Sequence, residues 1–297
     1  MSTKRVTHVL NQSPLYRMRN HRKLAVLLRI SPPELRKLSH SDSAYKEFDI
    51  AKKAGGTRRV ENPARPLKLV QARLARILGR ITPPEYLFCP VRGRSYVSNA
   101  ARLRHNRIVR CIDIRKYFLN TLARRVFWFF KTIMLCETDV AETLTKLATY
   151  KEHLPTDSPL SPIMAYFAHY DVWQRIAVIA NSNGLVLSVY IDDVTLSGKN
   201  VPTRVLWEIK KQIHASGLRY HKEKHFIDGP VEVTGVIIRN GKLFAPNRQL
   251  KKLHQSKREV SFAGPRSKQM VADRIKGLIG QLKQIQTFPN ADELASE

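Results

Sequence analysis

Leu185-Val-Leu-Ser-Val-Tyr190-Ile191-Asp192-Asp193-Val-Thr-Leu-Ser197 is the stretch on which the fold of this chain turns. It is apolar and β-rich up to Ile191, sets two carboxylates side by side, and returns to a β-rich run that closes at Gly198. The pattern reads as strand, turn, strand, a hairpin with Asp192 and Asp193 at its tip. Adjacent carboxylates repel each other and are costly to hold together unless a cation shares them. An Asp-rich turn without chemistry has the same local pattern, because Asp is a common turn residue. A second element is needed to decide between the two.

That element is Arg107-Ile-Val-Arg-Cys-Ile-Asp113-Ile114, a second apolar strand with a carboxylate near its end. If the two strands lie side by side, Asp113 joins Asp192 and Asp193 at one sheet edge. Three hard oxygen donors with open positions suit Mg²⁺, which keeps water and substrate phosphates among its ligands. Two such ions, about 3.5–4 Å apart, stabilise the attacking and leaving oxygens of phosphoryl transfer. The residues alone leave polymerase and nuclease as equal readings.

The charge agrees with a polyanionic substrate. The 297 residues hold 52 Lys+Arg against 24 Asp+Glu, a formal net charge of +28. A compact protein that repels itself so strongly calls for nucleic acid, with an anionic membrane surface second. The basic residues fall in three stretches: nine Lys/Arg against Glu34 in 1–40, nine against Glu61 in 52–80, and twelve against Glu259 and Asp273 in 239–285. Three such stretches between neutral segments suggest a positive groove, whereas any one of them would pass for a solvated helix face. The tail after Asn290 is acidic, with Asp292, Glu293 and Glu297. Hydrophobic residues make up 43%, enough for a buried core. The strongest apolar run, Val126 to Cys136, is broken by Lys131 and is shorter than the about 20 residues a membrane span needs. No signal peptide follows Met1. Cys89, Cys111 and Cys136 have no zinc-type spacing and read as reduced core thiols.

Outward from the hairpin, the spacing predicts helices over 20–38, with a restart at Ser31-Pro32-Pro33 capped by Ser31. Further helices are expected over 67–77, 126–136, 140–150, 159–180 and 201–217, and a strand over 231–238. Ala54-Gly55-Gly56-Thr57 reads as a turn, and Arg239-Asn240-Gly241-Lys242 as a hairpin turn. From Pro246 the chain is basic and helical to about Thr287. Strands and helices without regular alternation indicate an α+β fold.

At this point the sequence resembles the reverse transcriptases, and most of all the bacterial retron type. Tyr190-Ile191-Asp192-Asp193 is similar to the Tyr-x-Asp-Asp hairpin of that family. Cys111-Ile-Asp113-Ile-Arg-Lys-Tyr-Phe118 resembles its first palm motif, and Leu154-Pro155-Thr156-Asp157-Ser-Pro159-Leu-Ser161-Pro162 its Leu-Pro-Gln-Gly-x-Pro-x-Ser-Pro loop, with Thr156 and Asp157 in place of Gln and Gly. Gly217-Leu-Arg-Tyr-His221-Lys-Glu-Lys224 resembles the following motif, with His221 in place of Asn. Gly55-Gly56-Thr57-Arg58-Arg59-Val60 resembles the segment that holds the incoming triphosphate. Val233-Thr234-Gly235 and Asn99-Ala100 resemble two retron signatures, although Leu103 stands where the second carries His and His105 lies two residues on.

The resemblance covers roughly residues 50–250 and implies a right-hand polymerase. Fingers and palm would occupy 1–245, with an antiparallel sheet carrying the hairpin. A short basic helical thumb would occupy 246–297 and bind RNA. Asp113, Asp192 and Asp193 would be catalytic and hold two Mg²⁺. Lys224 would serve the leaving pyrophosphate, Arg58, with Arg59 as second choice, the triphosphate, and Phe118 would exclude a ribose 2′-OH. Asn99, Lys251, Lys252 and Arg258 would contact nucleic acid. The implied activity is that of an RNA-directed DNA polymerase. It copies part of a structured non-coding RNA into single-stranded DNA from the 2′-OH of a guanosine, using dNTPs and leaving a branched RNA–DNA product. An accessory effector protein, a role in antiphage defence, a bacterial cytoplasmic location and no membrane partner are implied with it. Two other classes remain: another cellular reverse transcriptase of intron-encoded or abortive-infection type, and a non-catalytic RNA-binding scaffold of the same fold. Thr156, Asp157 and His221 favour the scaffold, and the three intact carboxylates oppose it.

Overall fold

The computed structural model describes residues 6–40, 44–51, 55–262 and 264–289. The acidic tail after Asn290 and Ala54 of the expected turn lie outside the described residues. The elements in chain order are α1 (His21–Leu28), α2 (Pro32–Ser39), β1 (Tyr45–Ala51), β2 (Thr57–Pro63), α3 (Arg65–Leu78), β3 (Leu87–Cys89), α4 (Tyr96–Leu103), β4 (Ile108–Ile114), α5 (Tyr117–Asn120), α6 (Ala123–Trp128), α7 (Thr138–Ala148), α8 (Ser161–Ala168), α9 (Tyr170–Ser182), β5 (Val186–Tyr190), β6 (Asp193–Gly198), α10 (Thr203–Ala215), β7 (Tyr220–Ile227), β8 (Val231–Val233), β9 (Val236–Arg239), β10 (Lys242–Phe244), α11 (Asn247–Phe262) and α12 (Pro265–Gln286).

A five-stranded sheet in the order β3-β5-β6-β4-β7 forms the centre. All of its pairs are antiparallel except β3 with β5. The two-residue period of a strand assigns its faces. Ile112 and Ile114 of β4, Leu187 and Val189 of β5, and Val194 and Leu196 of β6 join the main core with α1–α3, α6–α10 and the segment after α6. The alternate residues face the other way. Low on that second face, Val109 and Val186 pack into a smaller cluster with Val97, Ala100 and Leu103 of α4, the β8–β9 hairpin and Ile285 of α12. Higher on it, Asp113, Asp193 and Tyr190 stand opposite one another in register and are left uncovered. The fold thus exposes one end of one sheet face.

Local chemistry accounts for several boundaries. Asn20 caps α1 through the amides of Arg22 and Lys23, and Ser31 accepts from Glu34 N–H at 3.3 Å to start α2. Asn240 and Gly241 both adopt positive φ and turn β9 into β10. Three expected elements differ. The run after Val126 leaves α-geometry as a π-turn over Phe129–Ile133. The helix expected over 159–180 is two helices that meet at fully buried His169. The strand expected over 231–238 is a hairpin, because Thr234 and Gly235 both take positive φ and reverse the chain. Strand β7 and the β1–β2 hairpin add to the sequence reading. Of the thiols, only Cys136 is buried; Cys89 and Cys111 are half-buried, and all three are free. Among the described residues no helix is long and apolar enough to cross a membrane.

Candidate active site

The uncovered end of the sheet forms the floor of a cleft of about 570 Å³. Asp113, Asp193, Tyr190, Cys111, Thr195, Lys222 and Lys224 line it from the sheet, and Thr234, Gly235, Glu232 and Arg248 from beyond it. The hairpin tip is tight: Ile191 has a φ of 57°, and Asp192 C=O accepts from Ile114 N–H at 2.9 Å. This bond fixes the tip of one strand pair to the end of β4 and so brings the three carboxylates to one edge.

Their electrostatics match that crowding. Burial pushes the Asp193 carboxyl up to about 6, with further upward pushes from Asp192 and Asp113 and relief from Lys224. The Asp192 carboxyl is also raised, first by burial and then by Asp113, with relief from Arg58 and His221. Carboxylates held at such cost favour a bound cation. Among the described residues no three His, Cys, Asp or Glu side chains converge into a ready-made cage. The fit to Mg²⁺ rests on the donor chemistry, hard oxygens beside an open cleft, and on a mutual repulsion that the nearby cations relieve only in part.

The cations around the trio separate into engaged and free. Arg58 is exposed near the start of β2, and its charge reaches Asp192. Arg59, the second choice, is paired with Glu47 of β1. Lys224 pairs in register with Cys111, and Lys222 with Asp113, so both ammonium groups belong to the face that carries the carboxylates. Lys222 was not singled out in the sequence. Its position opposite Asp113 follows only once β7 is known to be a strand. His221 Nδ1 lies 3.5 Å from Asp113 Oδ1, at the place where the resembling family carries Asn. Phe118 is half-buried in α5 just beyond β4, its ring stacked on Tyr117 at 6.1 Å between centroids.

Asn99 is not at the nucleic-acid surface. It is fully buried. Its amide donates to Thr234 Oγ1 at 3.2 Å, its carbonyl accepts from Ser188, and Thr234 Oγ1 donates to Tyr96 C=O at 3.1 Å. The two short signatures singled out in the sequence therefore touch, and together they fix the turn that walls the cleft. Lys251, Lys252 and Arg258 lie exposed on α11, outside any ion pair among the described residues, with Lys251 and Arg258 seven apart on one face.

The chain resembles three curated proteins. It is 28% identical over 225 residues to the Retron Se72 reverse transcriptase of Salmonella heidelberg (strain 579083-10), covering 69% of this chain and 58% of the relative. It is 29% identical over 238 residues to the Retron Ec86 reverse transcriptase of Escherichia coli, covering 76% and 73%. It is 27% identical over 220 residues to the Retron Mx65 reverse transcriptase of Myxococcus xanthus, covering 65% and 51%. By these similarities the chain resembles the retron-type reverse transcriptases. It spans about half to three quarters of the length of these relatives. No family model matches it. In fold it is similar to the in situ structure of BmCPV RNA dependent RNA polymerase at quiescent state, with a TM-score of 0.51, 9% identity and coverage of 75% of this chain and 24% of that one. This likeness is one of fold alone, a polymerase fold with an antiparallel sheet; we propose the central sheet as its palm, the β1–β2 hairpin as its fingers and α11–α12 as its thumb.

Proposed function

We propose that this retron-type chain is an RNA-directed DNA polymerase that copies part of a structured non-coding RNA into single-stranded DNA. The observation that carries the reading is the three-carboxylate sheet edge, with Asp113 and Asp193 lining a cleft beside Lys222 and Lys224 and the charge of Arg58 reaching Asp192, in a chain whose relatives are named retron reverse transcriptases. A nuclease could use the same carboxylates; the kinship favours synthesis.

In this reading Asp113, Asp192 and Asp193 hold two Mg²⁺. The chemistry supplied by Mg²⁺ bound there would be Lewis-acid activation of the attacking hydroxyl and neutralisation of charge on the leaving oxygen. The first nucleophile is the 2′-OH of a guanosine in the RNA, and later ones are DNA 3′-OH groups. Each attacks the α-phosphorus of a dNTP and expels pyrophosphate. Arg58 holds the triphosphate, since a guanidinium fork binds phosphate oxygens in pairs. Lys224 neutralises or protonates the departing pyrophosphate, and the Phe118 ring excludes a ribose 2′-OH. The basic faces of α11 and α12 grip the RNA through its shape and backbone. A branched RNA–DNA product, an accessory effector protein and a role in antiphage defence complete the proposal.

The test is to express the chain with its flanking locus, purify it and examine the nucleic acid it carries. A DNase-sensitive product that shortens after debranching is the expected result. RNA without attached DNA would favour a binding scaffold, and unbranched DNA another class of reverse transcriptase.

A further inference from the structure

Thr156 and Asp157 replace the Gln and Gly of the resembling family, and they are not idle in the fold. The loop between α7 and α8 runs along the outer edge of β2. Thr156 Oγ1 accepts from Glu61 N–H at 3.0 Å and donates to Arg59 C=O at 3.2 Å. Asp157 N–H donates to Glu61 C=O at 3.3 Å. In an antiparallel pair, alternate residues turn their backbone groups away from the partner strand. Arg59 and Glu61 are such alternates, and the loop satisfies the groups they turn outward.

Ion pairs extend the seam. Asp157 Oδ2 meets Lys68 Nζ of α3 at 3.1 Å, Lys151 Nζ meets Glu47 Oε1 of β1 at 2.7 Å, and His153 Nε2 meets the buried Glu61 carboxylate at 3.0 Å. Tyr150 stacks on Tyr45 with ring centroids 4.2 Å apart. On its other side the loop is rooted in the palm, where Leu154 N–H donates to Thr121 C=O at 3.2 Å and Ala123 N–H to Glu152 C=O at 2.9 Å. A two-stranded hairpin is marginal on its own in water. This one, which carries Arg58, is fastened to the palm by the loop.

We propose that Thr156 and Asp157 are positioning residues for the incoming nucleotide, forming a clasp that holds the Arg58 strand at a fixed distance from the carboxylates. The inference rests on the polymerase reading for the role of Arg58. Where the family has Gln-Gly, this chain has two residues hydrogen-bonded to β2. The side chain that lies along β2 bonds protein backbone.

The test uses the full chain with poly(rA) annealed to oligo(dT), and measures equilibrium affinity for dTTP separately from incorporation. Thr156→Val keeps the shape and removes both hydroxyl bonds, whereas Thr156→Ser keeps them. The expected result is a loss of about tenfold in dTTP affinity for Thr156→Val, equivalent to about 1.4 kcal/mol. Thr156→Ser should restore it, and affinity for the template–primer should be unchanged. A purely structural role would lower the melting temperature and leave dTTP affinity untouched, which would overturn the proposal, as would equal losses in Val and Ser. If Thr156→Val does not fold, hydrogen exchange of the wild-type Glu61 amide decides: protection like that of neighbouring strand amides supports the clasp, and rapid exchange contradicts it. Wild type that binds dTTP without incorporating it would sink the polymerase reading and leave the clasp standing. Wild type that does not bind dTTP would remove both.

Discussion

Palm and thumb solve opposite problems with the same chain. The palm sheet is packed on one face against a large core that includes Trp173, Phe129 and Phe130, all fully buried. At one edge it holds three crowded carboxylates, with Lys222 and Lys224 on the same face. Among the described residues the thumb helices α11 and α12 bury little beyond Ser256, Val271 and Ile285; most of their residues are exposed, and their charged residues are Lys and Arg apart from Glu259 and Asp273. The palm spends packing energy to hold charges that repel each other. The thumb is held by little packing and keeps its charges free, so its position depends on what lies against it. The difference teaches where rigidity is needed, at the carboxylates and at the Arg58 strand, and where it is not.

The comparison can be broken most sharply at Asp113. Asp113→Asn should reduce DNA synthesis by three orders of magnitude or more, on the order of ~4 kcal/mol of transition-state stabilisation. It should not lower the melting temperature, because one repelling charge is gone. Primer extension and a thermal melt on the same preparation check both halves. Next in size, Trp173→Ala should cost about 3–5 kcal/mol in a urea melt. Val271→Ala at the α11–α12 seam should cost about 1–2 kcal/mol, since it removes less buried surface. Equal costs would mean that the thumb is packed as firmly as the palm.

Replacing Lys251, Lys252 and Arg258 together by Gln should leave the melt unchanged. It should weaken RNA binding and shallow the slope of log affinity against log salt by about 2–3, roughly one for each phosphate that is no longer neutralised. A further effect is one of pH. Burial, with help from Arg125, pushes the His169 imidazole down to about 3 from its ordinary value of 6.5. The folded state therefore binds fewer protons than the unfolded one, and stability present above pH 6.5 is lost as pH falls toward 3, by about 1.4 kcal/mol per unit. His169→Gln should flatten that part of a denaturation profile taken across pH.

How much of this was legible in the sequence follows the same division. The hairpin of Asp192 and Asp193 and the strand of Asp113 were readable because apolar strands with a carboxylate at one end are unusual. The two thumb helices were readable from composition. Strand β7 was not, because Tyr220–Ile227 alternates charges on a sheet edge, where strands carry charge to discourage pairing, and shows no apolar run. The Val231–Ile238 run looked like one strand, because only the backbone shows that Thr234 as well as Gly235 takes positive φ. Asn99 read as a surface contact, yet its partners Thr234 and Ser188 are distant in sequence and leave no periodic trace. The Thr156 clasp escaped for the same reason. Against the family pattern Thr156 and Asp157 favour a non-catalytic scaffold, and only the bonds of Thr156 to Glu61 and Arg59 suggest another role.

The central claim is that a palm with three crowded carboxylates makes DNA on RNA. The most direct measurement is incorporation of dNTPs by the purified chain on an RNA template with Mg²⁺, set beside Asp192→Asn combined with Asp193→Asn. The expected result is DNA product from the wild type, none from the double variant, and equal RNA binding by both. Undiminished product from the double variant would contradict the claim.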